Sequence, residues 1–220
     1  MSQGSSRREK TDLETRERLI KTAAALFAER GFKKVTVREI CRVSRANVAA
    51  VNYHFRDKAG LYREVVKTAI QAMRETNELS QRAGEGESAD DQIRAFVRVF
   101  VQRLTGSGPG AWIHKLMARE MEDPTEALDL VMRQVIQPRM EYLSAVASAI
   151  MALPATDPRV ARAVLSLQGQ CLLFARSVPP TVARMWGPIA SDVEGTVDHI
   201  AEFSLAGMKA IASRASRASA

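Results

Sequence analysis

The 220-residue chain is 46% apolar and carries a formal charge of +7, which is enough length for one sizeable core or two smaller ones. No window approaches the roughly 18 consecutive apolar residues of a membrane span, and the opening MSQGSSRREK has no apolar signal-peptide centre; a cytoplasmic protein without a membrane partner is expected. The charge is uneven: residues 1–67 hold 16 Lys and Arg against 8 Asp and Glu, the remainder 16 against 17, so the basic surplus sits at one end, as a phosphate-facing surface requires.

Residues 1–11 are polar and read as a disordered tail, either simply solvated or serving as a basic arm along DNA. From Leu13 to Arg30 the apolar residues Leu19, Ile20, Ala23, Leu26 and Phe27 recur at helical spacing, and Gly31 is placed as the C-cap. Thr36 and Glu39 form the pattern of a capping box. They start a short helix whose face Val37, Ile40 and Cys41 packs inward. Val43 to Ala46 break that pattern, and Asn47 caps a second short helix towards His54. The result is a helix-turn-helix spanning about residues 36–55. Val48, Val51 and Phe55 are its anchors, while Asn47, Ala49, Ala50, Asn52, Tyr53 and His54 present a small or polar surface suited to a major groove about 12 Å wide.

Asp57 caps a long helix through Leu61, Val65, Ala69 and Met73 to about Arg82, and the domain boundary is read at residues 56 and 57. The run AGEGESADD is a loop; Ile93, Phe96, Val97, Phe100 and Leu104 mark the next helix, which TGSGPG ends. Trp112, Leu116, Met117 and Met121 mark a helix from Ala111 to Met121. Another starts at Asp123-Pro124, with Glu126 placed for a capping box, and Pro138 should kink it. After Asp157-Pro158, the positions Val160, Val164, Leu167, Cys171, Phe174 and Val178 step by four and three until Pro179-Pro180. A last helix, opened by Ser191 and Glu194, repeats the step at Val193, Val197, Ile200, Ser204, Gly207 and Ile211. Two such seams are expected to pair across a two-fold axis as a four-helix bundle. With no internal repeat and no strand pattern, the fold class is all-α: a three-helix DNA-binding domain over 1–56 and a helical domain over 57–220.

The ordered set Thr36, Ile40, Asn47, Tyr53, His54, Phe55 and Lys58, preceded by LFAERGFKKVT, resembles the DNA-binding domain of the TetR family of bacterial transcriptional regulators over about the first third of the chain. The resemblance implies that Tyr53, His54 and Lys58 touch phosphates with Thr36 near the backbone, and that the face from Asn47 through Val48 and Ala49 to Asn52 reads bases. Arg45 stands where the family usually has Gly; it must tolerate the turn conformation, and it joins the DNA-facing set as a further phosphate contact. The phrases AREMEDPTEALD, QGQCLLF and DHIAEFSLAGM resemble the C-terminal domain of the CecR-type (YbiH-like) branch. That likeness implies dimerisation and effector binding, in a branch associated with control of transport and antibiotic sensitivity.

Cys41 and Cys171 are the only cysteines. Each reads as a small buried hydrophobe rather than half of a disulfide, and their spacing to the three histidines makes no metal site. His54, His114 and His199 are far apart, no Ser sits in a nucleophile elbow, and no Gly run cradles phosphate; Arg119 and Glu120 read as an ordinary ion pair. Catalysis is therefore not expected, and no cofactor is required. Phe100, Trp112, Met117, Met121 and Phe174, with His114, Arg119, Glu120 and Gln168 as polar anchors, have the composition of a pocket between helices for a small hydrophobic effector; the same residues also suit a core. The expected function is a homodimeric repressor of transport, efflux or stress genes that binds double-stranded operator DNA and is released by an effector. The alternatives are a constitutive DNA-binding protein whose second domain only dimerises, and a helical enzyme.

Overall fold

In the computed structural model, residues 3–105, 110–174, 181, 184–185, 187 and 192–218 are described, and among them there is no strand. The elements are α1 (Gln3–Lys34), α2 (Val37–Ser44), α3 (Val48–Phe55), α4 (Lys58–Ala83), α5 (Ala89–Thr105), α6 (Gly110–Glu122), α7 (Glu126–Val131), a π-helical turn (Met132–Ile136), α8 (Gln137–Met151), α9 (Pro158–Phe174) and α10 (Val193–Ala218). They form two compact units: residues 1–72 with 111–131, and residues 73–110 with 132–220. The units divide the chain differently from a boundary at 56 and 57, because the first half of α4, most of α6 and all of α7 fall in the same unit as the helix-turn-helix.

In the first unit α1, α2 and α3 contact one another around Leu19, Ala23, Phe27, Ile40, Cys41 and Val51, all buried, with Leu61, Val65 and Ala69 of α4 buried as well. Phe27, Phe32 and Tyr62 form an aromatic cluster, with Phe27 edge-on to Tyr62 at 5.0 Å and Phe32 at 4.8 Å from Tyr62. Residues 3–11, expected as a tail, lie on the first turns of α1; their Arg, Glu and Lys are good helix formers, and Leu13 onward supplies the apolar face that draws the helix on. Gly31 has φ 77° and ψ 164°, a conformation closed to most side chains. The helix proper therefore ends there, as its C-cap placement predicts.

In the second unit Phe96, Phe100, Leu143, Val146, Val160, Val164, Leu167, Cys171, Val197 and Ile200 form one buried cluster contributed by α5, α8, α9 and α10. The two seams expected to pair across a dimer axis are thus mostly interior to one protomer, from Val160 to Cys171 and from Val197 to Ser204. Val178, Pro179, Pro180 and Ser191 lie outside the described residues. Spacing identified the apolar positions but could not say which surface they meet, since a step of three and four serves any helix packing. The outward stripe is different: Leu165 is 60% exposed, Leu172 37% and Phe203 63%, with exposed Gly169 and Gly207 among them. The chain stays helical without a gap from Glu126 to Met151, and the regular α-helix is interrupted just before Pro138. That proline sits at the start of α8, directly after the π-helical turn, where its missing N–H leaves the local ladder to reorganise.

Two glycines are put to opposite uses. A Cβ at Gly60 would lie 1.8 Å from the Phe55 carbonyl oxygen, whereas one at Gly207 would meet nothing within 4 Å. Gly60→Ala is expected to destabilise the chain by about 1–3 kcal/mol through overpacking. Gly207→Ala, in mid-helix, should stabilise it by up to about 1 kcal/mol. Urea unfolding of the two variants beside the parent chain checks both signs.

Candidate nucleic-acid interface

Thr36 and Asn47 begin the two motif helices in the same manner. Each has an extended backbone, and each side-chain oxygen accepts from an early backbone N–H of its helix: Thr36 Oγ1 from Glu39 at 3.2 Å and Asn47 Oδ1 from Ala49 at 3.1 Å. The reciprocal half of the expected capping box is missing, since the Glu39 carboxylate pairs with Arg30. Between the helices Arg45 adopts φ 54° and ψ 41° and leaves its side chain exposed. That left-handed conformation costs a non-Gly residue about 1–2 kcal/mol. Arg18 of α1 steadies the turn by donating from Nε to the Ser44 carbonyl at 2.8 Å.

On α3, Val51 and Phe55 face the core, while Val48 is 40% exposed and Tyr53 76%. Val48 is therefore not an anchor of this helix; with exposed Asn47, Ala49 and Asn52 it forms the outward face. Tyr53 holds its ring edge-on to His54 at 4.9 Å and leaves its hydroxyl available to a phosphate.

The two other residues expected at phosphates are engaged within the protein. The His54 side chain is only 7% exposed and faces Asp12 of α1, Nε2 to Oδ1 3.4 Å. Lys58 donates to the carbonyls of Phe32 and Val35, both at 3.0 Å, and its ammonium stands 4.3 Å from the Phe32 ring centre. Two of its three N–H donors are thereby spent on the chain entering α2.

The nine residues read as an effector pocket fall into both units. In the first, Glu120 is buried and accepts from the Tyr62 hydroxyl and from Thr125, at 3.1 Å from its N–H and 3.0 Å from its Oγ1. Burial first, and the Glu120 carboxylate second, push the Tyr62 hydroxyl well above the ordinary tyrosine range. Arg119 does not pair with Glu120: its guanidinium donates to Glu122 at 2.9 Å and to the Glu29 carbonyl at 3.0 Å. Met121 is 68% exposed, Ile113 and Leu116 form the buried face of α6, and Trp112, His114 and Met117 are half-buried. In the second unit Phe100 and Gln168 are buried and Phe174 is half-buried, 6.3 Å from the His199 ring. Beside Phe100 lies a residue that sequence reasoning missed. Arg139, 5% exposed, places its guanidinium 4.6 Å from the Phe100 ring centre and donates from Nε to Asn77 Oδ1 at 2.8 Å. It lies one residue after Pro138, just past the π-helical turn. Among the described residues no group of three or more His, Cys, Asp or Glu could hold a metal, and no helix is long and apolar enough to cross a membrane.

A helix-turn-helix with an outward second helix, in the basic part of the chain, continuous through α4 with a second helical unit, defines a DNA-binding transcriptional regulator. The comparisons agree: residues 19–65 match the model of bacterial regulatory proteins of the tetR family, and residues 89–208 match the C-terminal domain of the HTH-type transcriptional dual regulator CecR. The chain is 29% identical over 191 residues to the HTH-type transcriptional dual regulator CecR of Shigella flexneri, covering 83% of this chain and 85% of that one. Solved structures with the same fold include a tetR-family regulatory protein from Rhodococcus RHA1 (TM-score 0.66, 16% identity, 88% of this chain and 96% of that) and a TetR regulator from Chloroflexus aurantiacus (TM-score 0.63, 22% identity, 88% and 96%). The chain belongs to the TetR family of bacterial regulators, with a C-terminal domain of the CecR type.

The double duty of Asn47 can be separated from simple base reading. Asn47→Ala should lose the cap and about 1 kcal/mol of stability. Asn52→Ala, exposed and capping nothing, should leave stability within about 0.5 kcal/mol and still change which DNA sequence is preferred. Thermal unfolding together with selection from a randomised duplex pool distinguishes the two; unchanged sequence preference in Asn52→Ala removes that residue from the reading face.

Proposed function

We propose that this regulator is a homodimeric repressor that binds a palindromic operator and is released by a small effector held in its second unit. The observation that carries the reading is the outward face of α3, Val48, Ala49, Asn52 and Tyr53, capped by Asn47 and set in the part of the chain that holds the basic surplus. Asn47, Ala49 and Asn52 are the base-reading set, with Val48 offering apolar contact to a thymine methyl. Tyr53, Arg45 and the backbone near Thr36 are the phosphate set. His54 and Lys58 act mainly by holding α3 and the chain before α2 in place. The relative from Shigella flexneri is described as a dual regulator, so activation at some promoters is the second reading.

Dimerisation is assigned to the outward stripe of α9 and α10. Leu165, Leu172 and Phe203 are apolar and exposed, and Gly169 and Gly207 have open space above their Cα atoms, which lets a second copy's helices approach closely. Two-fold symmetry then sets two recognition helices about 34–36 Å apart, on successive major grooves. Because α4 runs continuously from the first unit into the second, an effector that favours one setting of α4 changes that spacing, and operator DNA must weaken effector binding by the same factor, about 5 to 150 for typical coupling.

Two measurements test this reading. Fluorescence anisotropy on palindromes flanking the gene should show affinity that falls steeply with salt, as release of counterions from phosphates requires, and Tyr53→Phe should weaken binding to every sequence alike. A flat salt response, or equal affinity for random DNA, rejects the operator. Light scattering should show a dimer that Gly207→Leu converts to a folded monomer, since the added side chain has room within the protomer; a dimer unchanged by that substitution moves the interface elsewhere.

A further inference from the structure

The interior of the second unit contains a positive charge without a negative partner. Arg139 is 5% exposed, and among the described residues it makes no ion pair; its one protein hydrogen bond leaves from Nε to Asn77. The chain from 175 to 191 contains no Asp or Glu. A buried, uncompensated guanidinium is costly, and here the cost is met only by the Phe100 ring and one amide oxygen. Burial lowers its pKa to about 10, still far above neutrality, so the charge is present. Asn77 is itself fixed, donating from Nδ2 to the Val135 carbonyl at 3.2 Å inside the π-helical turn. The guanidinium is thus held by its Nε side, and among the described residues the Nη pair has no partner.

A second observation is independent of the first. Gln168 is 8% exposed, and its Nε2 is the one fully occluded side-chain nitrogen or oxygen among the described residues that has no hydrogen-bond partner. It stands one turn before Cys171 on the buried face of α9, and Cys171 lies close enough to Arg139 to feel its charge. The Nη atoms of Arg139, also unpartnered, are not fully occluded, so they border what access the residue keeps. One aromatic stack, Phe96 on Phe100 at 5.2 Å, and the aliphatic residues of the same cluster supply only apolar surroundings.

We propose that Arg139 and Gln168, braced by Asn77, form an anion subsite that takes the carboxylate of an otherwise apolar small molecule. This assignment rests on the effector reading given above and adds to it the chemical class of the effector. The Nη fork matches two carboxylate oxygens, Gln168 Nε2 supplies a further donor, and Phe100 with its neighbours covers the apolar body. An amide of the same shape offers only one acceptor oxygen and brings donors of its own against the guanidinium. It is discriminated against for that reason.

The test uses the full chain and four carboxylates, acetate, butyrate, octanoate and benzoate, each beside its primary amide at equal concentration, with thermal unfolding as the readout. At least one carboxylate should raise the Tm while its amide does not, as ligands that bind only the folded state do. Gln168→Met should leave the Tm of the free protein unchanged or higher, because it removes an unpaired buried donor, and should weaken carboxylate binding roughly tenfold, the loss expected of one charge-assisted bond. Arg139→Met should abolish the discrimination; should that variant fail to fold, Gln168→Met decides alone. The subsite is overturned when no carboxylate stabilises the chain more than its amide, or when Gln168→Met binds the carboxylate as the parent does. Operator anisotropy separates this failure from that of the effector reading. A carboxylate whose binding depends on Gln168 but leaves operator affinity unchanged upholds the subsite and removes effector release. A neutral compound that releases operator equally from parent and Gln168→Met, in a chain that no carboxylate stabilises more than its amide, upholds release and removes the subsite.

Discussion

The Phe55 carbonyl lies where a side chain at residue 60 would have to begin, and the aim of the recognition helix depends on that close approach. With no room between the end of α3 and the first turn of α4, the two helices are set at one angle, and Arg56 reverses the chain between them with φ 72°. Asp57 closes the corner by accepting from the Gly60 N–H at 2.7 Å. The same turn of α4 reaches the other side of the motif, since Lys58 donates to the carbonyls of Phe32 and Val35. One helical turn therefore fixes where α3 ends and where the chain enters α2. Lys58, expected at a phosphate, is occupied with that task, and His54, expected there too, faces Asp12 of α1 instead.

Polar groups are buried in both units, and they are satisfied to different degrees. In the first, Glu120 collects a phenol hydroxyl, a threonine hydroxyl and a backbone N–H, a network complete enough that nothing more is needed to explain its burial. In the second, Asn77 and Ser80 are similarly satisfied, but Arg139 and Gln168 retain unused donors. A core selected only to fold removes such groups or pairs them. Arg139 also stands just past a π-helical turn, a geometry that often marks functional positions.

Much of the first unit was legible in the sequence because its features are local. A cap acts two or three residues away, a left-handed turn imposes itself on one residue, and the alternation of Ile40, Cys41, Val51 and Phe55 with polar neighbours leaves one face to bury. Thr36, Asn47, Gly31 and the strain at Arg45 were all readable on those terms. The facing of His54 and Lys58 was not, because each depends on a partner far along the chain, Asp12 for His54 and Phe32 and Val35 for Lys58; Val48, read as an anchor, proved to be exposed. In the second unit the periodicity found α5, α9 and α10, yet the seams proved mostly interior, since a spacing of three and four does not distinguish a protomer's own helix from a copy's. Gln168 was singled out as a polar anchor of the expected pocket. Arg139 was not singled out, because its burial rests on Asn77 and Phe100, partners far along the chain.

The division of the chain into units has a bearing on how such regulators exchange parts. The first unit is discontinuous: α6 and α7 return to it after α5 has been spent in the second, and their docking uses Tyr62 against Glu120, Arg119 against the Glu29 carbonyl, and Lys33 against Asp123 at 2.6 Å. A single crossover within α4, the simplest way to join one regulator's DNA reader to another's sensor, strips those partners from the reader and leaves Tyr62 facing a foreign surface. A workable recombinant has to carry residues 111–131 along with 1–72, so the reader's integrity is tied to two short helices that lie far from it in sequence.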